Sequence, residues 1–164
     1  VFNIETLSAD YEVQRITEED ISDVYNLCRS NIQYYRNIGE HPSEKRLTEV
    51  ISELPGGAEA SQKFFVGFYE KGKLIALLDL ICGYPEKDSA FIGWFTVDAD
   101  KQHKGIGSQI FADIRATMKA QGFKTLRLVC PAASEETITF WEKQGFGKDG
   151  LAENAESVSM SRTI

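Results

Sequence analysis

Two hydrophobic periodicities alternate along the chain, one typical of strands and the other typical of helices. Apolar residues at every second position, or in short unbroken runs, predict strands, and apolar residues three or four positions apart predict helices. The strands predicted in this way are residues 11–16, 64–70, 74–81, 91–97, 125–130 and 158–162. Four helices are predicted to begin close to Thr17, Ser43, Gly105 and Ser134, and residues 31–42 are predicted to form a connector.

The predicted elements follow the order β-α-α-β-β-β-α-β-α-β, without repeats, linkers or low-complexity segments. A chain of 164 residues, 42% of them hydrophobic, is long enough for one well-buried core and too short for two generous domains. We therefore expect residues 1–164 to form a single domain of the α/β (α+β) class.

Composition narrows the range of partners. The formal net charge of -7 argues against nucleic-acid binding, which normally requires a basic face. No apolar run approaches the roughly 20 residues that span a bilayer, so we expect no membrane partner. The three cysteines, Cys28, Cys82 and Cys130, contain no C-x-x-C pair, which fits free thiols in a reducing, cytoplasmic setting. We expect no metal site.

A glycine-containing segment, residues 102–107 with the sequence QHKGIG, separates the strand 91–97 from a long helical pattern. A turn from a strand into a helix presents backbone N–H groups at the positive end of the helix, a geometry that binds phosphate groups. Gly105 and Gly107 would let a ligand approach the backbone closely. The segment matches neither the P-loop nor the three-glycine dinucleotide fingerprint. A turn that merely needs small residues is the alternative interpretation.

Two segments carry a resemblance to a known family. Gln102, Gly105 and Gly107 occupy the defining positions of its Q/R-x-x-G-x-G/A pyrophosphate loop, and FWEKQGF at residues 140–146 is similar to its F-Y-E-K-x-G-F segment. Together with the order of elements, they resemble the GNAT superfamily of N-acetyltransferases over roughly residues 74–146. The resemblance implies the GNAT fold, a central mixed, mostly antiparallel sheet of about six to seven strands flanked by four helices, in which a splayed parallel strand pair holds acetyl-CoA.

The resemblance also implies an activity and a set of cofactor contacts. An acyltransferase of this type moves an acetyl group from acetyl-CoA to a primary amine of a small molecule, amino-acid derivative or peptide, by direct attack in a ternary complex. The pantetheine arm would lie along the strand 91–97. Gly93 in this strand indicates a bulge or close approach that helps the strands to separate, and simple packing beneath a large aromatic residue is the alternative. The cofactor-binding residues are then Phe95, Thr96, Val97, Gln102, His103, Lys104, Gly105, Ile106, Gly107, Ser108, Ser134, Thr137, Phe140 and Trp141.

Asp79 is the candidate general base. It interrupts the apolar run 74–81, and a buried carboxylate is costly unless it meets a cation, hydrogen bonds or a substrate. The alternative is a water-facing edge position or a structural hydrogen bond. Trp141 replaces the tyrosine that in the family protonates the leaving thiolate, and an indole N–H cannot act as a general acid near neutral pH. Cys130 is expected to be a small buried residue and not a nucleophile.

The acceptor side is less well defined. Tyr34 and Tyr35 occupy the region where the family builds its acceptor site, and core packing by one of them is the alternative. Tyr84 is predicted to bind substrate with them. The acidic balance mildly favours a cationic amine, and a homodimer is left open. Because Trp141 replaces the family's tyrosine, a second function stays open, a catalytically silent acyl-CoA-binding sensor or regulatory module. Nucleotide binding would need a ribose-binding acid after the helix, and residues 124–126 offer none.

Overall fold

The computed structural model describes residues 2–164, apart from the side chains of residues 152 and 153. Within this part of the chain, a seven-stranded sheet carries five α-helices. The strands are β1 (Glu12–Arg15), β2 (Lys63–Glu70), β3 (Lys73–Cys82), β4 (Ser89–Val97), β5 (Thr125–Pro131), β6 (Gly147–Asn154) and β7 (Ser157–Thr163). The helices are α1 (Ile21–Ser30), α2 (Ile32–Ile38), α3 (Glu44–Ser52), α4 (Ile106–Ala120) and α5 (Glu135–Lys143).

Local sequence signals explain several element boundaries. Ser43 caps α3, since its hydroxyl oxygen accepts a hydrogen bond from the N–H of Arg46 at 3.1 Å. Lys71 and Gly72 both have positive φ, 49° and 77°, as a tight turn between the antiparallel strands β2 and β3 requires.

The sheet has the strand order β1-β2-β3-β4-β5-β7-β6. All neighbouring pairs are antiparallel except β4 and β5, which run parallel. This arrangement confirms the predicted mixed, mostly antiparallel sheet. Among the described residues, no helix combines the length and the apolar character that crossing a membrane would require.

The parallel pair separates half-way along β4. Pairing between β4 and β5 begins at Ser89 and Thr125 and ends at Ile92 and Leu128. Beyond that point β4 stays paired with β3, and β5 stays paired with β7. The predicted splay is therefore present.

A bulge marks the start of the separation. On β3, Asp79 lies opposite Trp94 and Leu80 lies opposite Ile92, so Gly93 is an extra residue in β4. A bulge bends and twists its strand, which turns the rest of β4 away from β5. The bulge predicted from Gly93 is confirmed.

The two faces of the sheet bury separate apolar clusters. Helices α4 and α5 cover one face through Phe111, Ile114 and Trp141. Helices α1 and α3 cover the other face through Val24 and Leu47. The two pairs of helices therefore lie on opposite faces of the sheet, and the gap between β4 and β5 lies between them.

Residues 31–42 do not form the predicted connector throughout, because they contain α2. This helix starts directly after Asn31 and ends at Gly39, which adopts a left-handed conformation with φ of 72°. It buries none of its residues completely, so it lacks the regular apolar stripe by which helices are recognised in a sequence. Residues 2–164 consequently contain one α-helix more than the four predicted.

The C-terminal segment contains two strands, although only one was predicted. β7 includes the predicted residues 158–162, and β6 precedes it. The β6 sequence, GKDGLAEN, has none of the β-branched or aromatic residues that favour strands. β6 forms because β7 offers a partner for antiparallel pairing.

Candidate functional site

A cleft of about 670 Å³ opens where β4 and β5 separate. Its walls come from these two strands, the loop before α4, the helix α5 and the junction between α1 and α2. The Asp98 N–H donates to the Ile75 carbonyl on the β3 side at 2.8 Å. Because successive residues of a strand turn their peptide groups to opposite sides, the N–H and C=O groups of Phe95 and Val97 face the cleft. A chain that contains amides can pair with this edge.

The loop between β4 and α4 forms a cradle of backbone N–H groups. A short 3₁₀ turn, Ala99–Lys101, leads to His103 and Gly105, which have φ of 59° and 79°. α4 follows at once, and the N–H groups of its first turn have no acceptor within the helix. Together with the positive end of the helix dipole, these groups favour a bound anion.

Twelve of the fourteen residues predicted to bind the cofactor line the cleft. The two exceptions are Lys104, which is exposed, and Ile106, which packs against the core. Both lie within the loop or the first turn of α4, so their contribution to the cradle is their backbone. His103 has an exposed side chain 3.5 Å from a Glu136 oxygen.

Gly105 and Gly107 serve different purposes. A β-carbon at Gly105 would meet no other atom within 4 Å, so the left-handed backbone is the reason for glycine there. A β-carbon at Gly107 would lie 3.3 Å from the Phe140 ring and 3.5 Å from Val97. Glycine at this second position lets the start of α4 approach both β4 and α5 closely.

Three aromatic rings form one wall of the cleft. The Phe95 ring lies 6.0 Å from that of Phe140 and 5.9 Å from that of Trp141. Trp141 is only 4% exposed, and it also packs edge-on against Phe111 and Phe146 at 5.3 and 5.1 Å. The indole is thus a packing group beneath the cleft. Ser134 and Thr137, whose hydroxyl groups share a hydrogen bond of 2.6 Å, line the same wall.

Asn31, at the junction of α1 and α2, is a cleft residue that the sequence did not reveal. Its side-chain amide donates to the Val97 carbonyl at 3.1 Å, and its side-chain oxygen accepts a hydrogen bond from Gln102. Gln102 also donates to the Val97 carbonyl, at 2.7 Å. The only signal for Asn31 was its place at the end of a helical pattern, and Trp94, another cleft residue, gave none.

Asp79 lies behind the bulge and not in the wall of the cleft. Its Oδ2 is 3.1 Å from Lys63 Nζ, and it occupies the space beside Gly93, 2.7 Å from where a β-carbon of residue 93 would stand. Asp79 is 7% exposed, and its Oδ1 is buried without a hydrogen-bond partner among the described residues. Burial raises the pKa of the Asp79 carboxyl, and the Lys63 ammonium opposes that shift.

The three predicted acceptor tyrosines are not all brought together, although the rings of Tyr34 and Tyr35 are in edge-on contact with their centroids 5.4 Å apart. Tyr34 lines the cleft, and burial raises its pKa, so its hydroxyl stays protonated at neutral pH. Tyr35 packs against the cluster under α1. Tyr84 lies apart from the cleft, where its hydroxyl donates to the Gly56 carbonyl at 3.2 Å.

Cys130 also lines the cleft. It is buried, and burial raises the pKa of its thiol. The thiolate form, which is the nucleophilic one, is therefore disfavoured.

Comparison with known proteins agrees with this geometry. Residues 22–146 match the model of the family described as "Acetyltransferase (GNAT) family". No curated protein matches the chain significantly in sequence. An acetyltransferase from Thermus thermophilus superposes with a TM-score of 0.77 at 20% identity, with 94% of this chain and 97% of that chain covered.

Two further solved structures share the fold. PaiA N-acetyltransferase from Thermoplasma acidophilum, in complex with coenzyme A, has a TM-score of 0.69 at 18% identity, over 94% of this chain and 99% of that one. An acetyltransferase from Salmonella typhimurium that modifies the N-terminal serine of a 50S ribosomal subunit protein has a TM-score of 0.74 at 15% identity, over 96% and 97%. At such identities the similarity demonstrates a common fold alone.

Proposed function

Because the chain belongs to the acetyltransferase (GNAT) family, we propose that it transfers an acetyl group from acetyl-CoA to a primary amine of a small molecule, amino-acid derivative or peptide. The observation that carries this proposal is the cleft between β4 and β5, which joins an open backbone edge to an N–H cradle. The two parts suit the amide-rich arm and the pyrophosphate of one ligand. The free cysteines fit a reaction in the cytoplasm.

Two parts of the cleft suit two parts of acetyl-CoA, its pyrophosphate and its pantetheine arm. Backbone N–H groups of residues 103–108 would hold the pyrophosphate, and the edge groups of Phe95 together with the Val97 N–H would pair with the pantetheine arm. The Val97 carbonyl already accepts two amide donors, which fills its two lone pairs. Pairing with the arm therefore ends at the Val97 N–H. Acetyl-CoA supplies a thioester, whose carbonyl carbon bonds to the amine nitrogen as the C–S bond breaks and the thiol leaves.

Asp79 is the proposed base. An amine must lose a proton to attack, and the unpartnered Oδ1 can accept one through a water molecule. A carboxylate whose pKa is raised by burial binds a proton more readily than a solvated one. Gly93 has no side chain to separate this carboxylate from the cleft.

The leaving thiolate needs no acid from Trp141. The indole is packed among aromatic rings and has no titratable proton near neutral pH. A coenzyme A thiol is acidic enough to depart with help from hydrogen bonds or solvent. Direct transfer is favoured over a covalent route because the Cys130 thiol is buried and its pKa is raised.

A cationic amine suits the acceptor side. The chain has a net charge of -7, and the aromatic residues Tyr34 and Trp94 line the cleft, where rings can attract an ammonium group. One structural relative modifies the N-terminal serine of a ribosomal protein. We therefore include peptide N-termini among the amines to be tested.

The alternative is a catalytically silent acyl-CoA-binding module. The observation that favours it is Trp141, which stands where the family has a tyrosine and is buried as a packing group. Such a protein would bind acetyl-CoA and release no thiol with any amine.

Thermal unfolding with and without acetyl-CoA tests the proposal, with ATP and NAD as controls. A ligand at 100 times its dissociation constant adds about 2.7 kcal/mol to the free energy of unfolding, which shifts the midpoint visibly. We expect stabilisation by acetyl-CoA alone, followed by thiol release with at least one amine from a panel of small amines and peptides. Absence of stabilisation by acetyl-CoA would contradict the proposal, and stabilisation without thiol release would favour the silent module.

A further inference from the structure

Asn31 joins the acceptor side of the cleft to the cofactor side through a compact set of hydrogen bonds. Its amide nitrogen donates to the Val97 carbonyl at 3.1 Å and to the Thr96 hydroxyl at 3.4 Å. Its oxygen accepts from Gln102 Nε2. Both ends of this one side chain are therefore engaged, one with the end of β4 and the other with the loop that precedes α4.

Neighbouring contacts reinforce this connection. Gln102 Nε2 also donates to the Val97 carbonyl at 2.7 Å, and the Ala99 N–H donates to the Ser30 hydroxyl oxygen at 3.0 Å. We call these contacts the Asn31 clamp: the side chains of Ser30, Asn31 and Gln102 with the backbone of Val97 and Ala99. The clamp links the α1–α2 junction to the first residues of the phosphate cradle.

The helix α2 begins at this clamp. It has only seven residues and none of them is completely buried. Isolated helices of that length are unstable in water, so contacts at its ends and the packing of Tyr35 must hold it in place. The Asn31 carbonyl accepts the N–H groups of Tyr34 and Tyr35 at 3.0 and 3.4 Å, so the clamp residue also begins the helix.

We propose that the Asn31 clamp couples the two substrate sites, so that a ligand in the phosphate cradle stabilises α2 and the acceptor wall that it forms. The inference rests on the proposed function, since it takes coenzyme A as the ligand of the cradle. A ligand that restrains residues 103–108 also restrains Gln102, and α2 then opens less often because Gln102 and Asn31 share a hydrogen bond. Coupling is reciprocal, so an amine on α2 tightens cofactor binding by the same factor.

Asn31 is a positioning residue in this scheme, and it touches neither reacting atom. Its effect is on the dependence of one site on the other, which a simple loss of stability would not change selectively. The test is hydrogen exchange of the full chain, measured with and without coenzyme A, in wild type, Asn31→Ala and Arg36→Ala. Arg36 is the matched control because it lies on α2 with an exposed side chain outside the lining of the cleft.

In wild type and Arg36→Ala we expect coenzyme A to slow exchange of the amides of residues 34–38 at least about fivefold, at the lower end of typical coupling. In Asn31→Ala that slowing should disappear, although coenzyme A still protects residues 103–108. Asn31→Asp provides a second variant in case alanine prevents folding. It keeps the shape and the acceptor for Gln102 but cannot donate to Val97, and it should reduce the slowing to less than half.

Two results would overturn the coupling alone. The first is equal protection of residues 34–38 in wild type and both Asn31 variants, and the second is protection of residues 103–108 in wild type with no change in α2. A lack of protection at residues 103–108 in every protein would instead contradict the proposed cofactor site, and the coupling with it.

Discussion

At the scale of single residues, the absence of a side chain at Gly93 leaves room for the Asp79 carboxylate at the bulge. The Asp79 carboxylate occupies the space that a β-carbon of residue 93 would take, and Lys63 neutralises one of its two oxygens. The other oxygen has no partner among the described residues. A buried acceptor in this state is costly, and a hydrogen-bond donor beside it, such as a water molecule, would relieve that cost.

Asp79→Asn should lower turnover while acetyl-CoA affinity stays nearly unchanged, because the amide cannot take a proton from the amine. In wild type, kcat should rise as the pH passes upward through the raised pKa of Asp79, since only the ionised carboxylate is a base. That rise should be missing in the variant. Steady-state rates against pH and calorimetric binding of acetyl-CoA are the measurements.

Asp88→Asn is the matched control, because Asp88 is an exposed turn residue that pairs with Lys124 at 3.5 Å. It should leave both turnover and affinity unchanged. Equal loss of turnover and affinity in Asp79→Asn, or loss of folding, would show that Asp79 has a structural role only.

Trp141→Tyr should leave kcat within about twofold of wild type, because general acid catalysis adds rate only where proton transfer is limiting. The smaller ring should lower the free energy of unfolding by about 1–3 kcal/mol, since four aromatic rings pack around the indole. Rates of thiol release and urea unfolding check the two expectations. A rise in kcat of about 100-fold would mean that the missing acid limits the enzyme.

At the scale of elements, the end of β4 has two edges: one is paired with β3, and the other faces the cleft. Thr96 directs its peptide groups to β3, whereas those of Val97 face the cleft, as the hydrogen bond of the next residue to Ile75 shows. Proline removes a backbone N–H wherever it is placed. The two positions therefore separate the binding role of β4 from its role in the sheet.

Val97→Pro should weaken acetyl-CoA binding strongly and destabilise the fold less than Thr96→Pro does. The first change removes an N–H that faces the cleft, and the second removes an N–H of the β3–β4 ladder. Calorimetric titration with acetyl-CoA and thermal unfolding of both variants provide the comparison. Val97→Pro with wild-type affinity would exclude pairing between the pantetheine arm and this edge.

The elements themselves were largely predictable from the sequence. Three features have a local signal in the sequence: the parallel pair in its apolar runs, the bulge in Gly93, and the turn before α4 in the QHKGIG segment. The membership of the family inferred from residues 102–107 and 140–146 is also confirmed. α2 and β6 have no such signal, because one lacks a buried stripe and the other lacks residues that favour strands. Their conformation follows from tertiary contacts.

The residues of the candidate site also divide into those that the sequence signals and those that only the tertiary structure reveals. Residues of the loop before α4 could be named because a strand, two glycines and a helical pattern follow one another in the chain. Residues of α5 could be named because residues 140–146 resemble a segment of the family. Asn31 could not, since its role depends on the end of α1 meeting the end of β4, 66 positions along the chain. Nor does the sequence reveal that Lys63 is the partner of Asp79.

At the scale of the whole molecule, Lys63 connects the helix α3 to the sheet beneath it. Its ammonium group donates to the Val50 and Glu53 carbonyls at the end of α3, at 2.8 and 2.6 Å. It also pairs with Asp79 on β3 at 3.1 Å. The cation thus stabilises a helix end and a buried carboxylate at once.

Lys63→Met should lower the free energy of unfolding at about pH 7 by about 3–5 kcal/mol, because it leaves the buried Asp79 without its cation. The folded-state pKa of Asp79 would rise further, so this cost is present above that pKa and disappears as the pH falls through it. Urea unfolding at about pH 7 and about pH 5 should show a smaller difference from wild type at the lower pH. Lys73→Met, at an exposed position, should change stability by no more than about 0.5 kcal/mol at either pH, and a similar loss in both variants would contradict the role of the pair.

The separation of β4 from β5 has a consequence for inhibition. Because α4 and α5 stand on one face of the sheet and α1 on the other, the cleft takes its lining residues from both faces. Two compounds that approach from opposite faces need not compete for the same space until they meet beside Gly93. A single compound that joins coenzyme A to an amine would be held from both faces at once, and the length of its linker would measure the thickness of the sheet at the bulge.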